Sequence, residues 1–352
     1  MDHIFDYSFL KKSSVKPDVV NRLSRLEAFN SRASFLRDSA ESIVESMERI
    51  ALLDSVISSN AIEGIMTAAE RAAPLVFGNT RPQGHSESEI SGYRRALQHI
   101  HENHSTIILS KETILEIYGI LMSDSLDMEI SFRTRDNMVV ERSSDGTIVA
   151  VHHTVPFRDV ESSIDHMVIS YWEARNDVGI NKLLLIPCFV LDFLRIHPFL
   201  DGNGRMSRLL TTLLLYQEGY DICRYVSLES RINMSKRDYY DAIGKSEIGW
   251  FENNNDYTPF TDYFLSILFL VYREYDHRLT SASRNSRRSD KVRLLLNNLN
   301  YPVSKRDILS MFPELSEVTV ERTLREMLDE GSVKKIGSTR GARYVRNDRI
   351  TG

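Results

Sequence analysis

The sequence predicts a mainly α-helical protein: a helical N-terminal region, a helical core carrying one β-hairpin, and a small C-terminal α+β domain. Three observations lead there. Ahead of Leu279, apolar residues recur at three- and four-residue spacings in nearly every segment, the period of an amphipathic helix. One segment, 132–157, breaks that period, with MVVE and TIVAVHH flanking SSDG as strands flank a turn. The C-terminal stretch changes electrostatic character: 285–350 holds 14 Lys/Arg against 9 Asp/Glu, although the whole chain carries a net charge of -5.

Taken in order, 1–90 reads as a helical region through VVNRLSRLEAFNSRASFL and SIVESMERIALLDSVI. The core, 91–278, runs through YRRALQHI and TILEIYGILM to the hairpin, with Asp145 and Gly146 at its turn, then through SIDHMVISYWEA, LLLIPCFVLDFLRI and SRLLTTLLLYQEG. A lone hairpin is marginally stable, so this one is expected to lean on the helices and keep a free edge. LTSASRNSRRSD is polar and aperiodic, and 279–289 reads as a linker. In 290–352, VRLLLNNL, SKRDILSMF and SEVTVERTLREMLDEG are three helical patterns, and SVKKIGSTRGARYVRN is two strands around a turn at 337–341.

Composition narrows the function classes. With 352 residues, 42% of them hydrophobic, the chain can bury the cores of two or three domains of about 150 residues each. Cys188 and Cys223 both sit in apolar surroundings, which argues against a disulfide framework or a Cys-based zinc site and for a reducing compartment. The longest uncharged apolar run, YFLSILFLVY, is about half of the ~20 residues a membrane span needs, and MDHIFDYSFLKKSS lacks the order of a secretory leader. A cytoplasmic protein without a membrane partner is expected.

The chemistry concentrates in RIHPFLDGNGRMSRLL, set between two apolar runs. Pro198 disfavours the α conformation at His197, so a helix from about Leu183 should stop there, and a new one should begin near Asn203. Gly202, Asn203 and Gly204 can bring backbone N–H groups close to an anion at the positive end of that second helix. Arg205 and Arg208, three apart, add guanidinium groups suited to phosphate oxygens, and Asp201 supplies a hard oxygen ligand for Mg²⁺. His197 can take a proton near neutral pH, as a hydroxyl attacking phosphorus requires. Phe199 and Leu200 read as apolar pegs holding the loop. A zinc site at His197 with Asp201, or at His152 and His153, lacks a third ligand at a suitable spacing.

HPFLDGNGRMSR resembles, without a departure, the HxFx(D/E)GNGRxxR signature of the Fic (filamentation induced by cyclic AMP) family, and the likeness extends over about 93–272. The resemblance implies a helical Fic core that transfers AMP from ATP to a hydroxyl side chain of a target protein and releases pyrophosphate. His197 would be the base, Asp201 the Mg²⁺ ligand, Gly202, Asn203 and Gly204 the phosphate cradle, and Arg205 the group that neutralises developing charge. A flap hairpin over the site, here about 146–156, would align the target by strand addition. Tyr239 and Tyr240 in SKRDYYDAI fall where relatives contact adenosine, although two aromatics on a helix face serve a core equally well. GWFENNND follows as an insertion, and the asparagine that completes the base pocket in some relatives has no evident counterpart. SSNAIEGI resembles the (S/T)xxxE(G/N) inhibitory motif, with Ser59, Glu63 and Gly64 in the matching positions, so Glu63 would pair with Arg208 in place of a γ-phosphate.

The order of elements in 290–352 resembles a winged helix, with a wing carrying Lys334, Lys335, Arg340 and Arg343. Its modest charge leaves DNA and a protein partner equally open, with a second copy of the chain as a further candidate. The sequence is thus expected to encode an ATP- and Mg²⁺-dependent protein adenylyltransferase with a self-inhibiting helix. The alternatives are a nucleotide-sensing, DNA-binding regulator with a Fic core, or another Fic-type transfer or de-AMPylation.

Overall fold

The computed structural model describes residues 3–12, 16–37, 41–77, 80–124, 130–142, 148–282, 288–299, 301–337 and 341–347. Helices α1 (Phe9–Lys12), α2 (Pro17–Arg37), α3 (Glu41–Ile62), α4 (Ala69–Val76), α5 (Gly84–Asn103) and α6 (Lys111–Met122) precede the hairpin of β1 (Met138–Arg142) and β2 (Ile148–His153). After it come α7 (Val160–Arg175), α8 (Lys182–Ile196), α9 (Asn203–Gln217), α10 (Leu228–Met234), α11 (Lys236–Glu247) and α12 (Thr258–Ala282). The chain continues with α13 (Arg288–Asn298), β3 (Val303–Ser304), α14 (Lys305–Met311), α15 (Glu317–Asp329), β4 (Val333–Ile336) and β5 (Arg343–Arg346). The fold is mainly α, as the periodicities predict. The chain divides into two compact units: Met1–Ser24, Arg95–Tyr220 and Ser235–Ile267 form unit 1, and Arg25–Arg94, Asp221–Met234 and Leu268–Gly352 form unit 2.

Unit 1 is organised around α8. Its sequence, KLLLIPCFVLDFLRI, is apolar on every face, and every face is buried, as a central helix requires. Asn181 starts it by accepting from Leu183 N–H at 2.9 Å. Helices α7 and α9 pack along it, with Tyr171 edge-on to Phe189 at 5.0 Å. The one acid in α8, Asp192, is fully buried and accepts from the Tyr7 hydroxyl (2.8 Å), the Tyr257 hydroxyl (2.7 Å) and Trp250 Nε1 (2.8 Å). Burial pushes its carboxyl up to about 6, while the three donors pull the other way. Trp250 reaches Asp192 from GWFENNND, where Gly249 adopts φ +77° and a Cβ would lie 3.1 Å from the Asn254 carbonyl oxygen. His3 stacks on Trp250 at 3.7 Å, so the start of the chain is strapped to the same cluster.

The hairpin is antiparallel, pairing Met138 with His153 through Arg142 with Ile148, with a register shift between Glu141 and Arg142. It is a two-stranded sheet, so among the described residues each strand keeps one edge without a backbone partner. The turn residues Asp145 and Gly146 lie outside the described residues.

In unit 2, α3 packs against α10 and α13, and the C-terminal stretch forms a three-stranded antiparallel sheet in the order β3-β5-β4 beside α13, α14 and α15. Ser304 and Asp307 form a capping box on α14, and Ser316 caps α15. The three predicted helices and two predicted strands are present, with β3 added. Residues 283–287 of the linker and 338–340 of the last turn lie outside the described residues.

Candidate active site

Helix α8 stops where Pro198 requires. His197 is its C-cap, left-handed at φ 52° and ψ 60°, and its N–H donates to the Phe193 carbonyl at 3.0 Å. For a residue with a Cβ this conformation costs on the order of 1–2 kcal/mol and persists only where the surroundings enforce it. The ring is half-buried, with Nδ1 3.3 Å from the Leu194 carbonyl oxygen. A neutral imidazole that donates from Nδ1 carries its lone pair on Nε2, the form a general base needs.

Helix α9 starts at Asn203 because Gly202, its N-cap, takes φ +83°, open to glycine and strained for other residues. Asn203 closes the intervening loop: its Oδ1 accepts from Phe199 N–H at 2.9 Å and its Nδ2 donates to the Phe199 carbonyl at 2.7 Å. The asparagine expected in the cradle therefore spends its side chain holding the loop, leaving its backbone at the helix start. Gly204 follows as the second residue of α9.

Phe199 is buried and stacks on Tyr118 of α6 at 3.6 Å and 5°. Leu200 is 41% exposed and does not act as a peg, because the turn carries it away from the core. The Asp201 carboxylate is 60% exposed and accepts from Arg205 Nη2 at 3.2 Å. Arg205 and Arg208 are both buried on α9. The loop thus sets an imidazole, an exposed carboxylate and a helix N-terminus within a few residues of one another.

Arg133 holds this arrangement and was not singled out in the sequence. Its buried guanidinium donates from Nε to the His197 carbonyl at 2.8 Å, from Nη2 to the Ile196 carbonyl at 3.3 Å and to that of Val155, and from Nη1 to the Arg135 carbonyl at 3.2 Å. Its own N–H donates to the Pro198 carbonyl at 2.9 Å. One side chain thereby ties the end of α8 to the base of the hairpin, and Asn137 adds a contact to the Leu200 carbonyl at 3.4 Å. The available signal was FRTR, a basic pair just ahead of the hairpin-like segment of the helical core.

The remaining predicted residues are less concentrated. On α11, Tyr239 is buried against Phe260 (6.1 Å) and Tyr263 (5.8 Å), as a core residue would be, while Tyr240 is 41% exposed. In unit 2, Ser59 is buried on α3, and Glu63 and Gly64 form the end of that helix. Gly64 has φ +79°, its N–H donates to the Ala61 carbonyl, and Ile65 N–H donates to that of Asn60, a Schellman motif. This explains the glycine and leaves Glu63 exposed at the negative end of the helix dipole, where a carboxylate is unfavourable for stability. Among the described residues no group of three or more His, Cys, Asp or Glu could hold a metal ion. A Mg²⁺ ion at Asp201 would thus draw most of its ligands from phosphate and water, as that ion commonly does. No described helix is long and apolar enough to cross a membrane.

Residues 108–215 match the Fic/DOC family. The chain is 25% identical over 221 residues to the protein adenylyltransferase Fic of Nematostella vectensis, covering 60% of this chain and 45% of that one. It is 28% identical over 80 residues to a Fido domain-containing protein of Dictyostelium discoideum, covering 21% and 56%. It thus spans about half the length of these curated relatives. The crystal structure of a Fic family protein from Desulfovibrio desulfuricans superposes with a TM-score of 0.63 at 20% identity, covering 97% of this chain and 99% of that one, a likeness of fold.

Proposed function

From the premise that this chain belongs to the Fic family, we propose that it is a protein adenylyltransferase, moving AMP from ATP to a hydroxyl side chain of a target protein. The observation that carries the reading is the loop from His197 to Asn203, which sets an imidazole in an enforced left-handed turn next to the N-terminus of α9.

In the proposed reaction His197 Nε2 takes the proton of the target hydroxyl as its oxygen bonds to the α-phosphorus and the bond to the leaving pyrophosphate breaks. Backbone N–H groups at Gly202, Asn203 and Gly204 receive phosphate oxygens, and Arg205 and Arg208 offset their charge. Asp201 would hold Mg²⁺, which supplies further charge neutralisation at the phosphates. The open edge of the hairpin offers backbone groups to an extended target segment, and Arg133 fixes that hairpin relative to the base.

Two further assignments belong to the same proposal. Glu63 is the group that holds transfer in check; what supports this is its place in the Ser59, Glu63 and Gly64 spacing of the inhibitory motif. The C-terminal unit docks a protein rather than DNA. Helix α15 with its C-cap Glu330 carries five acids against Arg322 and Arg325, a balance that repels phosphate.

The test uses the purified Glu63→Gly protein, in which the inhibitory carboxylate is removed, a cell lysate, and ATP labelled at the α- or γ-phosphate in separate tubes. Protein bands labelled from α alone support the reading, and bands labelled from γ, or none with either, overturn it.

A further inference from the structure

The geometry points to a second ligand site, in unit 2, that binds a small phosphomonoester between α3, α10, α12, α13 and β5. The cavity there measures about 460 Å³, within the range of small-metabolite pockets. Its lining is markedly cationic: Arg231, Arg273, Arg278 and Arg346 stand against Asp54 and Glu274. That cationic excess suits a phosphomonoester, which is largely a dianion near neutral pH.

The hydrogen-bond accounting singles out Arg278. Glu274 accepts from Arg231 Nε at 2.8 Å and also from Arg278 Nη2, so one carboxylate serves two guanidinium groups. The Arg278 side chain is 3% exposed, and its Nε and Nη1 are buried with no hydrogen-bond partner among the described residues. Buried charged donors are costly to leave unmatched, and the planar fork of arginine fits two oxygens of one phosphate. Asp54, also buried, is pushed up to about 7 by burial, with Arg278 pulling the other way, so near neutrality a good share of it is protonated and repels an anion less.

The rest of the lining accommodates the body of such a molecule. Ser227 and Ser230 offer polar contacts on α10 and its approach, Asn297 and Asn298 offer amides at the end of α13, and Val226 with Leu270 supplies apolar surface. None of these residues lies in the His197 to Arg208 segment, so the site is separate from the proposed transfer chemistry and does not depend on it.

Isothermal titration of the full chain with ribose 5-phosphate, inorganic phosphate and ribose tests the assignment. Ribose 5-phosphate should bind at one site, at least tenfold tighter than inorganic phosphate, and ribose should give no heat. Arg273→Ala, at an exposed position that folding tolerates, should weaken binding tenfold or more, whereas Arg205→Ala on α9 should leave it unchanged. Arg278→Lys, which keeps the charge and loses the fork, should weaken binding while the ligand-free melting temperature stays near that of the wild type. Binding abolished by Arg205→Ala but kept in Arg273→Ala would place the ligand elsewhere and overturn the proposal, as would equal affinity for ribose or absence of binding.

Discussion

Replacing Arg133 by methionine removes the clamp between the end of α8 and the hairpin while keeping most of the apolar stem. Two of its contacts are strong: Nε to the His197 carbonyl at 2.8 Å, and Nη2 to that of Val155. Charge-assisted bonds contribute about 1.5–3 kcal/mol each, so the gross loss is roughly 3–6 kcal/mol. Part returns because a guanidinium with no exposed side-chain surface no longer has to be desolvated. A net loss of about 2–4 kcal/mol corresponds to a fall in melting temperature of roughly 5–15 °C for a unit of this size. Transfer should suffer further, because a shift of ~1 Å in a catalytic group costs about 10²-fold. Thermal denaturation followed by circular dichroism, and self-labelling with α-labelled ATP well below either melting point, measure the two effects. Arg133→Lys should recover part of the stability and little of the transfer. If Arg133→Met melts within about 2 °C of the wild type and labels equally, the clamp does not hold the site.

Three other predictions concern separate features. Gly202→Ala should cost about 1–2 kcal/mol through its positive φ alone, since its Cβ would meet nothing nearer than 3.6 Å; urea denaturation beside Gly244→Ala checks this, and equal stability of the two variants contradicts it. Asp54 is pushed up from its ordinary value of 3.8 to about 7, so the native state holds its proton more tightly than the unfolded chain, and stability is lost as pH rises through that window. Asp54→Asn should flatten the loss and be the more stable protein at pH 8 by up to about 4 kcal/mol; a less stable variant at pH 8 means that charge pairing outweighs burial. Glu63→Gly should raise self-labelling sharply with little change in melting temperature, whereas Arg208→Ala, which also loses a phosphate ligand, should not. Unchanged labelling in Glu63→Gly removes the inhibitory role and leaves the transferase reading in place.

The helices were legible wherever burial is one-sided or complete over several turns, as in α8 and α9, because the period then appears directly in the residue types. The break at His197 and the restart at Asn203 followed from one proline and one glycine. Two-residue β3 was not legible, since a strand that short cannot display an alternation. Arg133 was missed because its partners are backbone carbonyls, which leave no mark in the sequence of the segments that supply them. Leu200 was misplaced for the converse reason: its apolarity is visible, but the turn that exposes it depends on Asn203 closing on Phe199. The Asp192 cluster joins Tyr7, Trp250 and Tyr257 across long sequence separations, and none of those positions is distinctive alone.

The central claim is that the loop between α8 and α9 transfers AMP to a hydroxyl, with His197 as the base. The most direct measurement is the intact mass of the purified Glu63→Gly protein before and after incubation with ATP and Mg²⁺, beside the same protein carrying His197→Ala. The account predicts a gain of one or more adenylate groups, located by peptide fragmentation on Ser, Thr or Tyr, and a loss of that gain in the His197→Ala protein while ATP binding is kept. An adduct of phosphate mass, or an adenylate gain that survives His197→Ala undiminished, would contradict it.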